Sequence, residues 1–151
     1  YIVETLSRAG FHRYEVSNYA LGNHESYHNK VYWHYENYYG VGIGATGKID
    51  DELISHSRSL TDYLQGKNTI YIEKETIEDT MFNHLMMSLR LEEGLDLDEF
   101  KRRYHHAIEE VYKEALSKNL DNHNLVIENN HLKTNHTLDL LNSILLDFLP
   151  E

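Results

Sequence analysis

The sequence predicts an α+β chain in two parts, and three observations carry that expectation. Residues 1–16 read as helix, glycine, strand. Residues 39–58 read as a glycine-rich turn followed by a hairpin. From Thr76 onward the apolar spacing turns helical, and helices are followed by two short strands and a last helix, a winged-helix-like order.

In chain order, Ile2, Leu6 and Ala9 share one helical face, and Gly10 suits the position after a helix end. No N-cap precedes this helix and there is no initiator Met, so the chain is expected to be a fragment that begins inside an element. Phe11 to Val16 alternates as a strand. Residues 17–38 are polar and aromatic with few strand or helix signals, and a loop of that length is often functional. Lys48-Ile49-Asp50 and Leu53 to Arg58 form a hairpin around Asp51-Glu52, and Ser59 to Gln65 a short helix stopped by Gly66. Thr76 with Asp79 opens a helix to Leu89 through a capping-box-like start. Asp96 caps a helix holding Leu97 and Phe100. Tyr104 to Lys118 reads as one more helix, with Ile108, Val111, Ala115 and Leu116 inward. Leu120 to Ile127 and His131 to Lys133 read as strands around Asn129-Asn130. Thr134 caps a final amphipathic helix carrying Leu138, Leu141, Ile144, Leu145, Phe148 and Leu149. The boundary between the two parts falls near residue 70, giving units 1–70 and 71–151.

Composition excludes several classes. The 151 residues hold 25 acids against 14 bases, a net charge of −11 that repels phosphate. The imbalance is concentrated in residues 75–151, with 16 acids and 7 bases, so the winged-helix-like order there is not expected to read nucleic acid. No run approaches the ~20 apolar residues of a membrane helix, so no integral membrane segment is expected, and no signal peptide opens the chain. There is no cysteine, hence no disulfide and no thiolate ligand for zinc or iron–sulfur.

Two motifs mislead. His24-Glu25-Ser26-Tyr27-His28 fits H-E-x-x-H, but it follows a turn signal and lacks the apolar stripe of the buried helix that a zinc protease needs. Gly42-Ile43-Gly44-Ala45-Thr46-Gly47 fits G-x-G-x-x-G, but strands follow it where a dinucleotide fold needs a long helix. Glycines at a strand end still let the backbone approach something closely, either a ligand or another strand.

Four segments together resemble one family. Gly10-Phe11-His12-Arg13-Tyr14-Glu15-Val16-Ser17-Asn18-Tyr19-Ala20 is similar to a GF-x-x-YE-[IV]-SN-[FY]-A segment of the oxygen-independent coproporphyrinogen III oxidase-like radical-SAM proteins. His28-Asn29-Lys30-Val31-Tyr32-Trp33 matches their H-N-x-x-Y-W. Tyr39 to Ala45 resembles Y-x-G-[IVL]-G-x-[GS]-A, and Leu89-Arg90-Leu91-Glu92-Glu93-Gly94 resembles the LR-L-x-x-G of the C-terminal helical domain. The H-N-x-x-Y-W points to the haem-chaperone (HemW-type) branch, with the oxygen-independent coproporphyrinogen III oxidase as the alternative. Three features depart from the pattern. Thr46-Gly47 replaces a His-Ser or His-Gly, the loop after Ala20 lacks a Pro, and Leu132-Lys133-Thr134-Asn135-His136 lacks the Gly of L-T-x-x-G.

The resemblance implies the end of a partial TIM-like barrel in residues 1–70, with its last strands within 11–58, and a HemN-type helical domain in 71–151. The family's [4Fe–4S] cluster and S-adenosylmethionine (SAM) belong to a Cys-x3-Cys-x2-Cys that this chain does not contain, so the fragment alone is not expected to be catalytic. By resemblance, His28 is the haem-ligand candidate, Asn29 would orient it, and Tyr32 and Trp33 would offer flat faces to a porphyrin. The alternative for these four is a capping loop with Trp33 filling the barrel end. Gly42, Gly44 and Ala45, with Ser17 and Asn18, would lie at the SAM site; for Ser17 and Asn18 a polar network fixing the loop is the competing reading. Arg90 is expected to pair with Glu92 or Glu93, and His24 and His34 to be surface residues.

A haem-acceptor protein is the implied partner and the cytoplasm the implied compartment. A purely structural alternative is that residues 75–151 act as an interaction module whose acidic turn, Glu92, Glu93, Asp96, Asp98 and Glu99, favours a basic surface. The first part lacks strands to pair with its edges, so edge-to-edge dimers, or mobility of residues 17–38, are expected.

Overall fold

The computed structural model describes residues 1–135 and 138–149. Helix α1 (Ile2–Arg8) ends at Gly10, whose φ of 85° takes the left-handed turn into β1 (Phe11–Arg13). The predicted strand stops earlier than its alternation suggests. The chain turns at Val16 to Asn18 and returns as β2 (Tyr19–Leu21), with His12 opposite Ala20.

The stretch expected to be a loop holds both β2 and a capped helix, α2 (Tyr27–Trp33). The Ser26 hydroxyl accepts the Asn29 N–H at 3.3 Å, which starts α2. Ser26→Ala is expected to cost about 1 kcal/mol of stability, read as a lower midpoint in urea; an unchanged midpoint would mean that the cap is idle.

Strands β3 (Thr46–Ile49) and β4 (Glu52–His56) form the predicted hairpin, its turn one residue earlier, at Asp50 and Asp51. Helix α3 (Leu60–Leu64) follows, capped by Ser59. The sequence reading missed β5 (Ile70–Lys74), which pairs with β4 so that Ile54 faces Ile72. The sheet order is β3-β4-β5. All strand pairs described within residues 11–58, where barrel strands were expected, are antiparallel.

Helix α4 (Ile77–Ser88) begins with the capping box of Thr76 and Asp79. After Gly94 come β6 (Leu95–Asp96) and α5 (Leu97–Tyr104); the Asp96 carboxylate accepts the N–H groups of Asp98 and Glu99. The single helix expected over 104–118 is broken. His105 is left-handed (φ 61°) and Tyr112 non-helical, which leaves α6 (Ile108–Val111) and α7 (Lys113–Asp121). Leu120 closes α7 instead of opening a strand.

The wing is β7 (Leu125–Glu128) and β8 (His131–Thr134), joined by Asn129 and Asn130 at φ 50° and 64°. β6 joins β8 on its other side, giving the order β6-β8-β7. Thr134 ends β8, and the next described helical turn starts at Leu138; the cap expected at Thr134 falls on residues 136–137, outside the described residues. The close of the chain is one short helix, α8 (Leu141–Leu145), between two 3-10 turns. His136 lies outside the described residues.

The contiguous core lies in the second part. Met81, Leu85 and Leu89 of the α4 region pack with Leu95, Phe100, Leu116, Leu125, Leu132, Ile144 and Phe148. By contrast, Ile2, Leu64 and Ile70 of the first part stand exposed, as does Ile72 farther along β5. Among the described residues no helix is long and apolar enough to cross a membrane.

Candidate functional site

Helix α2 is the element on which the sequence candidates converge, and its residues divide between two directions. His28 and Tyr32, one turn apart, share a face. His28 Nε2 and the Tyr32 hydroxyl lie 3.0 Å apart, a hydrogen bond whose donor depends on the imidazole tautomer. The two rings meet edge to face at 4.7 Å, and Tyr38 continues the stack against Tyr32 at 4.5 Å. His28 is exposed. Asn29 and Trp33 share the neighbouring face. The Asn29 amide donates to the Tyr14 hydroxyl (3.4 Å) and not to His28, so Tyr32 is the side chain that orients the imidazole. Trp33 turns toward α4: its carbonyl accepts from the Ser88 hydroxyl, and the Arg90 guanidinium lies 5.8 Å from its ring centre. Its Nε1 is buried without a hydrogen-bond partner.

A charged chain pins the other side of α2. Lys30 Nζ lies 2.9 Å from Glu25 and 3.2 Å from Glu93; His12 closes on Glu25 at 3.0 Å, and His34 on Glu93 at 3.1 Å. The bond to His34, opposed by burial and reinforced by Lys30, lowers the Glu93 carboxyl to about 2. The bonds from His12 and Lys30 likewise depress Glu25. Burial works against the Lys30 charge, but Glu25 and Glu93 outweigh it and hold its pKa above the usual lysine value. The network gives the partly exposed His34 a partner in Glu93, and it corrects one expectation: Arg90 covers Trp33 while Glu93 is taken by Lys30 and His34. It also disposes of the H-E-x-x-H pattern. His24 and Glu25 precede the cap of α2, and Glu25 is bound by a lysine. Among the described residues no group of three or more metal-ligating side chains is gathered.

Ser17 and Asn18 sit exposed in the β1–β2 turn. The Ser17 N–H donates to the buried Glu15 carboxylate, and the Asn18 carbonyl accepts the Tyr14 N–H. Gly42 (φ 100°) and Gly44 (φ 67°) shape the loop before β3, and the Ala45 carbonyl accepts the His56 N–H. Within this loop the tight backbone approach is made by neighbouring glycines. A Cβ on Gly40 would stand 2.5 Å from the Thr46 carbonyl, and one on Gly47 2.8 Å from the Gly40 nitrogen. Clefts of about 590, 260 and 140 Å³ occur elsewhere, beside Phe148, Glu75 and Glu25; none is lined by His28 or by these loop glycines.

Sequence reasoning missed the cluster just beyond α2. Tyr35 is buried, and its hydroxyl donates to both Glu75 carboxylate oxygens at 2.6 Å; the Asn83 amide donates to the same carboxylate. Lys48, 1% exposed, donates to the Asp50 carbonyl and places its ammonium 4.2 Å from the Tyr35 ring centre. Burial, then the Arg103 charge, lowers its pKa. Burial and the Glu75 bond push the Tyr35 hydroxyl far above the usual tyrosine value.

Comparison with known proteins gives the family. Residues 76–136 match the HemN C-terminal domain. Heme chaperone HemW of Lactococcus lactis is 31% identical over 125 residues, 78% of this chain and 32% of that protein. HemW of Synechocystis is 36% identical over 99 residues, 61% of this chain and 24% of that protein. HemW of Escherichia coli is 31% identical over 105 residues, 64% and 27% of the two chains. The chain thus spans about a third or less of the length of these relatives. Among solved structures, Escherichia coli coproporphyrinogen III oxidase (HemN), described as a radical SAM enzyme, superposes with a TM-score of 0.71 at 14% identity, covering 97% of this chain and 39% of that one. The chain belongs to the oxygen-independent coproporphyrinogen III oxidase-like family that contains HemN and HemW, and it corresponds to the part bearing the HemN C-terminal domain.

Proposed function

We propose that this chain is the C-terminal portion of a haem chaperone that holds haem on α2 and passes it to an acceptor protein. The observation that carries the reading is the exposed imidazole of His28, beside Tyr32, within an H-N-x-x-Y-W run of a chain related to HemW. The donor set fits haem. A neutral imidazole is a normal axial ligand, and Tyr32 and Tyr38 extend an aromatic surface next to it. Bound haem would supply an iron with an axial position for that nitrogen. In this reading His28 serves as ligand, Tyr32 orients its ring, Asn29 fixes α2 against Tyr14, and Trp33 offers the edge of a flat surface. His28 would exchange its bond to Tyr32 for the iron, or ligate through its other nitrogen.

The chain has no thiolate for a [4Fe–4S] cluster, so the cluster and radical chemistry are assigned to other residues of the longer protein. Gly42, Gly44, Ala45, Ser17 and Asn18 would meet SAM there through backbone and amide groups. Division into units 1–70 and 71–151, a cytoplasmic setting, an acceptor docked on the acidic second part, and edge-paired dimers through exposed β5 belong to the same reading. Its supports are the contiguous core cluster, drawn from Met81 to Phe148, and the uncovered strand β5 at the edge of the three-stranded sheet.

Haemin titration followed at the Soret band tests it. His28→Ala is expected to weaken binding at least ~10-fold, a loss of about 1.4 kcal/mol. Equal affinity of the two proteins would remove His28 as ligand. The oxidase alternative has the shared fold behind it; anaerobic conversion of coproporphyrinogen III by the reconstituted longer protein would favour it over the chaperone.

A further inference from the structure

The carboxylate of Glu75 and the ring of Tyr35 sit where the two parts of the chain meet, and the geometry points to this pair as the positioning device of α2. Tyr35 follows the last residue of α2 by one cap position, in the left-handed conformation (φ 56°). Its N–H returns to the Tyr32 carbonyl, and the Glu36 N–H to that of Val31, so the end of α2 is closed by its own backbone. A bulky residue in that conformation persists only where its surroundings hold it.

Four side chains do so. Glu75, ahead of α4, takes the Tyr35 hydroxyl; Arg103 of α5 donates to the Tyr35 carbonyl at 3.1 Å. Lys48 of β3 covers the ring from the first part of the chain, and His84 of α4 stacks near it at 6.1 Å. The same β3 residue exchanges two backbone bonds of 2.9 Å with Tyr38, whose ring abuts Tyr32, whose hydroxyl in turn meets His28. An unbroken run of contacts thus leads from Glu75 through Tyr35, Lys48, Tyr38 and Tyr32 to His28. Each member is buried or makes a bond at hydrogen-bonding distance. Tyr35 and Glu75 touch no proposed ligand atom; they act through α2.

The consequence for haem rests on the reading of His28 given above, whereas the claim about α2 does not. Amide exchange across residues 28–36 by mass spectrometry, with haemin affinity measured alongside, separates the two. The variants are Tyr35→Phe and Glu75→Ala, with Glu75→Gln as the conservative replacement that keeps an acceptor. Ile144→Val, in the distant core, gives a control that loses stability without touching α2. Tyr35→Phe and Glu75→Ala are expected to speed exchange across α2 about 10-fold or more and to weaken haemin binding several-fold. Glu75→Gln is expected to stay within about 3-fold of the parent, and Ile144→Val to leave α2 unchanged. Exchange in the two disrupting variants no faster than in Ile144→Val would overturn the inference. If His28→Ala binds haemin as the parent does, the haem reading fails alone, and the exchange comparison still decides the role of the pair.

Discussion

Gly94→Ala is expected to remove roughly 3–5 kcal/mol of stability, well beyond the ~1 kcal/mol of an ordinary substitution. Two independent physical terms act at this position. Its φ is 77°, where a Cβ is strained, and the methyl would stand against the Leu132 carbonyl and 2.6 Å from Lys133 Cβ. Backbone cannot give way there, because Leu95 pairs with Leu132 and both are fully buried core residues. The glycine that the LR-L-x-x-G resemblance singled out therefore has a structural reason: it lets α4 turn into β6 while lying flat on β8. Urea unfolding of the two proteins measures the loss. A difference below ~0.5 kcal/mol would mean that β6 does not lie against β8 as described.

The second large effect is acid lability centred on His84. The ring is 2% exposed, between Phe100, Tyr104 and Tyr35, and its Nδ1 has no partner. Burial first, then the charges of Arg103, His34 and Lys48, with Asp96 opposing, lowers its pKa to about 3. The unfolded chain therefore binds a proton near pH 6.5 that the folded chain refuses until about pH 3. The penalty is absent above the unfolded value and grows as pH falls through this window, reaching about 2–3 kcal/mol by pH ~4.5. Below that, Glu93 adds to the loss. Its folded pKa of about 2 lies under the ordinary 4.5, so the stability from its bonds to His34 and Lys30 disappears as pH falls between those values. Unfolding free energies at pH 7 and pH 4.5 should differ in the parent by that amount, and far less in His84→Leu. The same pH dependence in both proteins would show that the ring is not held neutral by the fold.

Local signals in the sequence were legible where one residue controls one turn. Thr76 with Asp79, Asp96, Ser59, Gly66 and the Asn129-Asn130 pair act within four residues of themselves, and each element they delimit is present. The helix expected over 104–118 shows the limit of periodicity. Ile108, Val111 and Leu116 fit one stripe, but the left-handed His105 and the non-helical Tyr112 redirect the chain so that α6 and α7 wrap the core separately. β5 was missed although Ile70-Tyr71-Ile72 are good strand formers, because their faces are exposed and give no burial alternation. For the site, the family resemblance singled out His28, Asn29, Tyr32 and Trp33, and the fold brings the first and third of these side by side. The sequence could not show the partners of Tyr35, which lie 40 and 68 residues away in Glu75 and Arg103. Nor could it show that Glu93 closes on His34, a pairing set by the packing of α2 on α4.

The ligand on the iron is the most direct measure of the central claim that α2 holds haem through His28. Optical and electron paramagnetic resonance spectra of ferric haem bound to this chain, taken for the parent and for His28→Ala at equal loading, report it. Haem held through His28 gives a histidine-ligated spectrum in the parent that disappears in His28→Ala and returns when imidazole is added. Identical spectra in the two proteins, with no response to imidazole, would contradict it.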